Sequence, residues 1–411
     1  MFSLMLRLIL VGFFVLLPTT AHLQIKIMSY NLLNYPSNSE ERNPHFRTII
    51  EAIDPDILVV QEMNAGGTET FLDSVLNYAA ESYHAGEFID GPNTDNALFY
   101  RDSLFTFIRN LPITTQLRDI NEFTLIFEAT NDTIRLYSLH LKASRGGENE
   151  ERRAAEVDSL RRVTDSLSAG SNFIVCGDFN IYNSEEDAYQ RLLSVEEDAD
   201  GHVLDPIDLP GNWHNNEDFT LIHTQSTRSR QFGGGAPGGL DDRFDMILVS
   251  QAANDSGGFT YINNSYVTYG NDGFHFNDSI NARPNRAVSN EIVDALHFAS
   301  DHLPVYALFD VKAEFIEDGG KWKPMSFALY QNYPNPFNSS TTITYNLSFA
   351  TNVSIQLYNL SGHMVVKLAD GLKMPGIHTA TLIADRLTTG LYFVRMQASD
   401  QVFVRKTMLI K

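Results

Sequence analysis

Between positions 24 and 311 the apolar residues fall in short runs of five to eight, each closed by polar or turn-forming residues. Runs of that length, rich in Ile, Val, Phe and Tyr, read as β-strands. They predict strands at Gln24–Tyr30, Ile57–Gln61, Ala97–Arg101, Phe123–Ala129, Ile134–Leu141, Phe173–Gly177, Phe244–Ser250 and Val305–Val311. Helical spacing predicts three helices, His45–Ile53, Thr68–Leu76 and Glu148–Leu167. In the last of these Val157, Leu160, Val163 and Leu167 share one face. Helices over the outer faces of a two-sheet core make a layered α/β domain. The stretch "QFGGGAPGG", Gln231–Gly239, is a loop; a flap at the substrate edge and a passive connection both stay open. A second break, Ile316–Ser326, reads as a linker. The apolar alternation and regular turns after it predict a small all-β sandwich with no His or carboxylate cluster.

At 411 residues, 43% hydrophobic, the chain has material for two globular units. Arg7, the apolar run Leu8–Leu17 and "TTA" ending at Ala21 predict a cleaved secretory signal peptide over residues 1–21. A membrane anchor is the competing reading, but a bilayer span needs roughly 20 apolar residues. No stable membrane span is expected after cleavage. Cys176, the only cysteine, excludes an intramolecular disulfide and is expected to be a buried packing residue. Residues 327–411 carry 7 basic and 3 acidic residues, whereas 22–326 carry 22 and 48. So acidic a body has no generic affinity for polyanions, and the surplus is read first as a solubilising surface. Any chemistry on phosphates would need metal ions and a few local cations.

Candidate chemistry lies where apolar strands stop. Asn31 follows "IKIMSY", Glu62 follows "ILVVQ", and His140 closes "IRLYSLHL". Asp178 and Asn180 follow "FIVCG", Asp245 opens "FDMILVS", and Asp301 and His302 precede "VYALFDV". Each alone has a structural explanation, such as a local turn bond or a satisfied core histidine. Together they suit a hard divalent cation and attack on phosphorus, because oxygen ligands without Cys favour Mg²⁺, Mn²⁺ or Ca²⁺ over zinc. No P-loop, nucleophile elbow or dinucleotide fingerprint competes.

With those residues in hand, residues 24–311 resemble the endonuclease/exonuclease/phosphatase superfamily. The matching stretches are "MSYNLLNY", "ILVVQEM", "NALFYR", "SLHLKAS", "VCGDFN", "RFDMILVS" and "SDHLPVY", in the family's order. The resemblance implies a deoxyribonuclease-like four-layered α/β sandwich over 22–312. It implies Glu62 as principal metal ligand with Asn31 and Asp301 completing or supporting the site, and Mg²⁺ as the expected ion. Asp178 and Asn180 would orient water and the scissile phosphate. His302, paired with Asp245, would transfer a proton or bind phosphate, and His140 would stabilise the transition state or protonate the leaving oxygen. Tyr100 matches a phosphate-contacting position. Arg101 and Arg243 are nearby cations for the same role, unless Arg243 pairs with Asp241 or Asp242. After a linker at 313–326, residues 327–411 resemble a type A sorting domain of the type IX secretion system, on "QNYPNPFN", "LYNLSGHMV", "LTTGLYFVRM" and "KTMLIK". A carbohydrate-binding module is the alternative there.

The expected protein is a secreted or surface-attached monomer that engages the type IX machinery and hydrolyses phosphoesters, foremost extracellular nucleic acid. A phosphatase or phospholipid phosphodiesterase on the same scaffold is the second expectation. A non-catalytic surface protein is the third; the intact Glu62, His140, Asp178, Asn180 and His302 speak against it.

Overall fold

The computed structural model describes residues 19–315 and 328–411 apart from positions 81, 131, 198, 232, 256–257, 330–331, 333–334, 336, 348–350, 374–375, 385–386 and 399–400. The leader and the linker fall mainly outside these residues. Thr19–Ala21 begin the first strand, and the strand Val305–Phe315 runs three residues into the expected linker.

His22–Val311 forms one compact unit built on two sheets. The first has the order Phe259–Tyr261, Val305–Phe315, Thr19–Tyr35, Ile57–Met63, Asp95–Tyr100 and His84–Ala85. The second runs Phe105–Ile113, Ile120–Phe127, Asp132–His140, Phe173–Asp178, Asp245–Ser250 and Val203–Leu204. Alternation along each strand gives both sheets an apolar inner face. Ile27, Ile57, Val59, Leu98 and Phe309 thus meet Phe123, Leu136, Ile174, Cys176 and Ile247 in one core. Cys176 is fully buried, as its apolar run requires.

The outer faces need cover too. Phe46, Ile49 and Ile53 of the helix Ser39–Ile53 pack with Val293 and Leu296 of the helix Asn290–Ala299 on the first sheet. Val157 and Leu160 of the helix Gly147–Thr164, with Tyr189, Leu192 and Trp213, cover Tyr137, Val175 and Met246 of the second. Helix, sheet, sheet and helix make the four layers.

Differences from the sequence reading have local causes. The first helix starts at Ser39, ahead of its apolar stripe, because its opening turn is polar and carries Glu40 and Glu41 where the helix dipole favours acid. The second is α-helical only over Gly67–Phe71 and widens to a π turn over Leu72–Leu76. Phe105–Ile113 pairs at a sheet edge and buries few side chains, so its run carries little apolar signal.

The C-terminal unit is all β. It has a three-stranded sheet (Ala328–Leu329, Ser340–Leu347, Gly376–Ile383) and a four-stranded one (Met364–Lys373, Thr351–Asn359, Gly390–Ala398, Gln401–Leu409). Ile343, Tyr345, Ile355, Leu357, Val394 and Met396 alternate inward to fill its core.

Candidate active site

Strand register assembles the site. In the second sheet His140 lies opposite Asp178 on a parallel neighbour, and Asp178 opposite Asp245 on an antiparallel one, so three functional groups stand level at one sheet end. In the first sheet Asn31 pairs with Gln61, which places Glu62 at the same kind of edge. Beneath them Gln61, Ser29 and Ser138 form a buried hydrogen-bonded floor between the sheets.

The carboxylate of Glu62 is aimed by its surroundings. Asn31 Nδ2 donates to Glu62 Oε1 at 3.1 Å and to Asp178 Oδ2 at 3.1 Å, while the Asn34 backbone N–H donates to Glu62 Oε2 at 2.9 Å. Glu62 itself sits at φ 58°, a conformation a non-glycine residue holds only where its neighbours impose it. His140 Nε2 lies 3.4 Å from Asp178 Oδ2 and 4.0 Å from Glu62 Oε1. Ligand-type atoms of Glu62, His140 and Asp178 all lie within 4.8 Å of one another. His140 Nδ1 is buried without a hydrogen bond among the described residues. This donor set fits a divalent cation, with Asn31 orienting the carboxylates; its Oδ1 is taken by the Leu33 N–H. Asp301, expected among the ligands, falls outside the group. Its Oδ2 accepts the Ala236 N–H at 2.7 Å and so holds the glycine-rich loop, and its Oδ1 is buried with no partner among the described residues.

His302 stands across from Asp178. Its Nδ1 is 2.7 Å from Asp245 Oδ2, and the Thr224 hydroxyl accepts the Asp245 N–H and so fixes that carboxylate's strand. Nε2 then faces the cleft, 3.7 Å from Asp178 Oδ2 and 2.6 Å from the Gln225 carboxamide. Burial disfavours an imidazolium here, yet the Asp245 and Asp178 carboxylates outweigh it and hold His302 well above the ordinary histidine value. His140 goes the other way: burial, then Arg118 and His302, keep it neutral. Asp178 is pushed up to about 7, by burial first and by Asp245 and Glu62 after it, against the pull of His302. Two histidines and a carboxylate thus share a cleft in different protonation states, an arrangement suited to moving a proton near neutral pH.

Asn180 adopts φ 51°, takes its N–H to Asp178 Oδ1 at 3.1 Å and donates Nδ2 to the Leu141 carbonyl at 3.2 Å. Asp178 Oδ2, which accepts from Asn31, is the oxygen that faces His140 and His302. Gly177 serves the neighbouring strand: at φ 140° a Cβ would lie 2.0 Å from the Leu139 carbonyl oxygen.

The three expected substrate-binding residues are elsewhere. Tyr100 pairs with Ile57, the far end of the strand that ends at Glu62, and buries its ring in the inter-sheet core. Five residues of strand separate Ile57 from Glu62, roughly 17 Å. Arg101, one residue further, pairs with Asp54 and Asp56. Arg243 is buried in a two-pronged pair with Asp205, at 2.7 and 2.8 Å, rather than with Asp241 or Asp242. Two arginines of the helix Gly147–Thr164 are paired as well, Arg153 with Glu186 and Arg152 with Glu148.

Other cations lie near the cleft. Arg118 donates to the His140 and Leu141 carbonyls, and its Nε is buried with no partner among the described residues. Arg145 packs 5.8 Å from the Tyr182 ring centroid and has no carboxylate partner among the described residues. Arg145 and Tyr182 line a cavity of about 360 Å³ with Asn183, Asn212, His214, Glu150 and Glu185. Beside it Asp242 contacts His214 at 2.6 Å and, through burial, is pushed up to about 7. Gln225, Arg118 and His214 follow no apolar strand in the sequence, so the strand-end signal passes over them.

No curated protein matches the chain. Solved structures similar to it include Danio rerio TDP2 complexed with a single-strand DNA product, 17% identical, covering 70% of this chain and 98% of that one, TM-score 0.49. The human Nocturnin catalytic domain with bound sulfate is 19% identical, covers 71% and 97%, and has TM-score 0.43. A Bacteroides thetaiotaomicron mannosyl-6-phosphatase is 18% identical over 69% and 99%, TM-score 0.45. The secretion system C-terminal sorting domain matches residues 331–411, which marks the protein for export by the type IX system to the cell surface or beyond. The endonuclease/exonuclease/phosphatase family matches residues 28–302, and the chain belongs to that family of phosphoester hydrolases.

Proposed function

We propose that the protein is an exported phosphodiesterase, a nuclease acting on extracellular nucleic acid by in-line attack of water on phosphorus with a divalent metal, foremost Mg²⁺. The observation that carries this is the convergence of Glu62, His140 and Asp178 on one side of the cleft with the Asp245–His302 pair on the other. Glu62, Asp178 and His140 would hold the metal, which when bound neutralises charge on the phosphoryl oxygens. Asp178, held by the Asn180 N–H on Oδ1 and by Asn31 on Oδ2, orients the attacking water through Oδ2 and takes its proton. His302, held charged by Asp245, binds the phosphoryl group and supplies a proton toward the leaving oxygen. His140, being neutral, contributes a lone pair or a single hydrogen bond rather than an acid proton.

One observation favours a second reading, a phosphatase for small phosphoesters. Glu150 and Glu185 on the cavity wall would repel a continuing polyanion, and the body around them is strongly acidic. The full chain incubated with plasmid DNA, single-stranded DNA, RNA, bis(p-nitrophenyl) phosphate and p-nitrophenyl phosphate in Mg²⁺, Mn²⁺ or EDTA separates the two. Cleavage of polynucleotides that stops with EDTA and falls at least about a hundredfold in His302→Ala supports the nuclease. Cleavage of monoesters alone replaces it with the phosphatase, and activity indifferent to both treatments sinks the mechanism.

A further inference from the structure

We infer that Gln225 is a phosphoryl-binding residue, whose carboxamide holds the place beside His302 Nε2 until a phosphoryl oxygen displaces it. Because His302 Nδ1 is committed to Asp245, the ring has one hydrogen-bonding position left for the cleft. The Gln225 carboxamide fills it at 2.6 Å, as donor to a neutral ring or, turned over, as acceptor from a charged one. A phosphate reaching His302 must therefore meet this amide first. The amide has somewhere to go: in the first orientation its nitrogen is already 3.4 Å from Asp301 Oδ2, in the second a turn of the side chain brings its N–H groups there, and Asp301 Oδ1 is buried with no partner among the described residues.

The backbone of Gln225 stays put during that exchange. Its N–H donates to the Asp242 carbonyl at 3.1 Å, and its carbonyl accepts from the Asp241 and Asp242 N–H groups at 2.9 and 3.0 Å. Neighbouring Thr224 accepts the Leu303 N–H at 2.7 Å, which ties the segment to the strand after His302. Gln225 is half-buried, so its side chain alone is the moving part and it reaches the cleft. Turned from His302, its two N–H groups can donate to one non-bridging phosphoryl oxygen and to Asp301.

The inference rests on the phosphoester reading above, so the experiment separates the two. Inorganic phosphate is titrated by calorimetry into the full chain in Mg²⁺, and tested as a competitive inhibitor of bis(p-nitrophenyl) phosphate hydrolysis. Gln225→Ala and the shape-matched Gln225→Leu should each weaken phosphate about tenfold by losing a hydrogen bond to a charged group. Gln225→Glu, isosteric but anionic beside Asp301, should weaken it about a hundredfold or more while melting like the wild type. KM should rise with kcat changed by less than about threefold, a split that a structural role does not produce. Wild-type phosphate binding matched within about twofold by all three variants overturns the inference and leaves the hydrolase reading intact. A wild type that binds no phosphate and turns over no phosphoester removes the reading on which it stands.

Discussion

Arg243 offers a test of whether a cation next to a strand-end motif binds substrate or holds the fold. Its guanidinium meets Asp205 with two hydrogen bonds and stacks 5.0 Å from the Trp213 ring centroid, and Asp205 also accepts from Tyr189 Oη at 2.8 Å and the Ile207 N–H at 3.0 Å. Arg243 is 1% exposed and Asp205 8%. Arg243→Met fills similar space but strands a buried carboxylate, a loss of about 3–5 kcal/mol. At roughly 2–4 °C per kcal/mol for a domain of this size, Tm should fall by roughly 6–20 °C. Replacing both partners, Arg243→Met with Asp205→Leu, should recover at least half of that, because no charge is left unpaired.

The pH dependence has a definite sign. Burial pushes the Asp205 carboxyl up, but Arg243 and the two other donors override it and hold the group below its ordinary value. The pair's stabilisation is thus complete above the unfolded value of about 4 and is lost as pH falls through the lower folded value. The Tm gap between wild type and Arg243→Met, followed by calorimetry from pH 6 downward, should shrink on acidification. Hydrolysis of bis(p-nitrophenyl) phosphate, measured well below both melting points, should change in kcat/KM by less than about threefold. A KM raised about tenfold or more with an unchanged Tm would refute the structural assignment and restore Arg243 to the substrate.

Glu62→Gln keeps the shape of the carboxylate but removes its charge; Mn²⁺ binding measured by calorimetry should weaken about tenfold or more, and an unchanged Kd would remove Glu62 from the proposed metal site. Gly177→Ala forces a Cβ onto the Leu139 carbonyl at an unfavourable φ, so urea unfolding should show a loss of about 2 kcal/mol or more. Asp242, pushed up to about 7 chiefly by burial, binds a proton more tightly folded than unfolded, so stability falls as pH rises from about 4 to 7. In EDTA, Asp242→Asn should therefore gain Tm relative to wild type at pH 8 compared with pH 5, and a constant difference would contradict the burial argument.

How much of this was legible in the sequence depends on what kind of physics places each residue. Asn31, Glu62, His140, Asp178 and Asp245 were found because a strand transmits its register: once apolar residues fix which face is buried, the polar residue at its end has nowhere to go but the sheet edge. Tyr100 and Arg101, expected at the phosphate from the resemblance and not from a strand end, lie away from the site because the strand Asp95–Tyr100 runs antiparallel to Ile57–Met63 and presents its first residues, not its last, to it. Direction is a pairing property, and one strand's sequence does not carry it. Phe179, between Asp178 and Asn180, is fully buried. Gly177 makes room for the neighbouring Leu139 carbonyl, and a glycine in sequence reports a close approach without naming what approaches. Gln225 and Arg118 escaped because they lie in irregular segments whose positions are set by hydrogen bonds to distant strands, Gln225 through Asp242 and Arg118 through His140 and Leu141. Local pattern cannot encode such long-range bonds. The groups proposed to hold metal and water stand on strands, whereas Gln225, proposed to adjust to substrate, stands in an irregular segment pinned to them, and so the candidate chemistry was easier to read than the specificity.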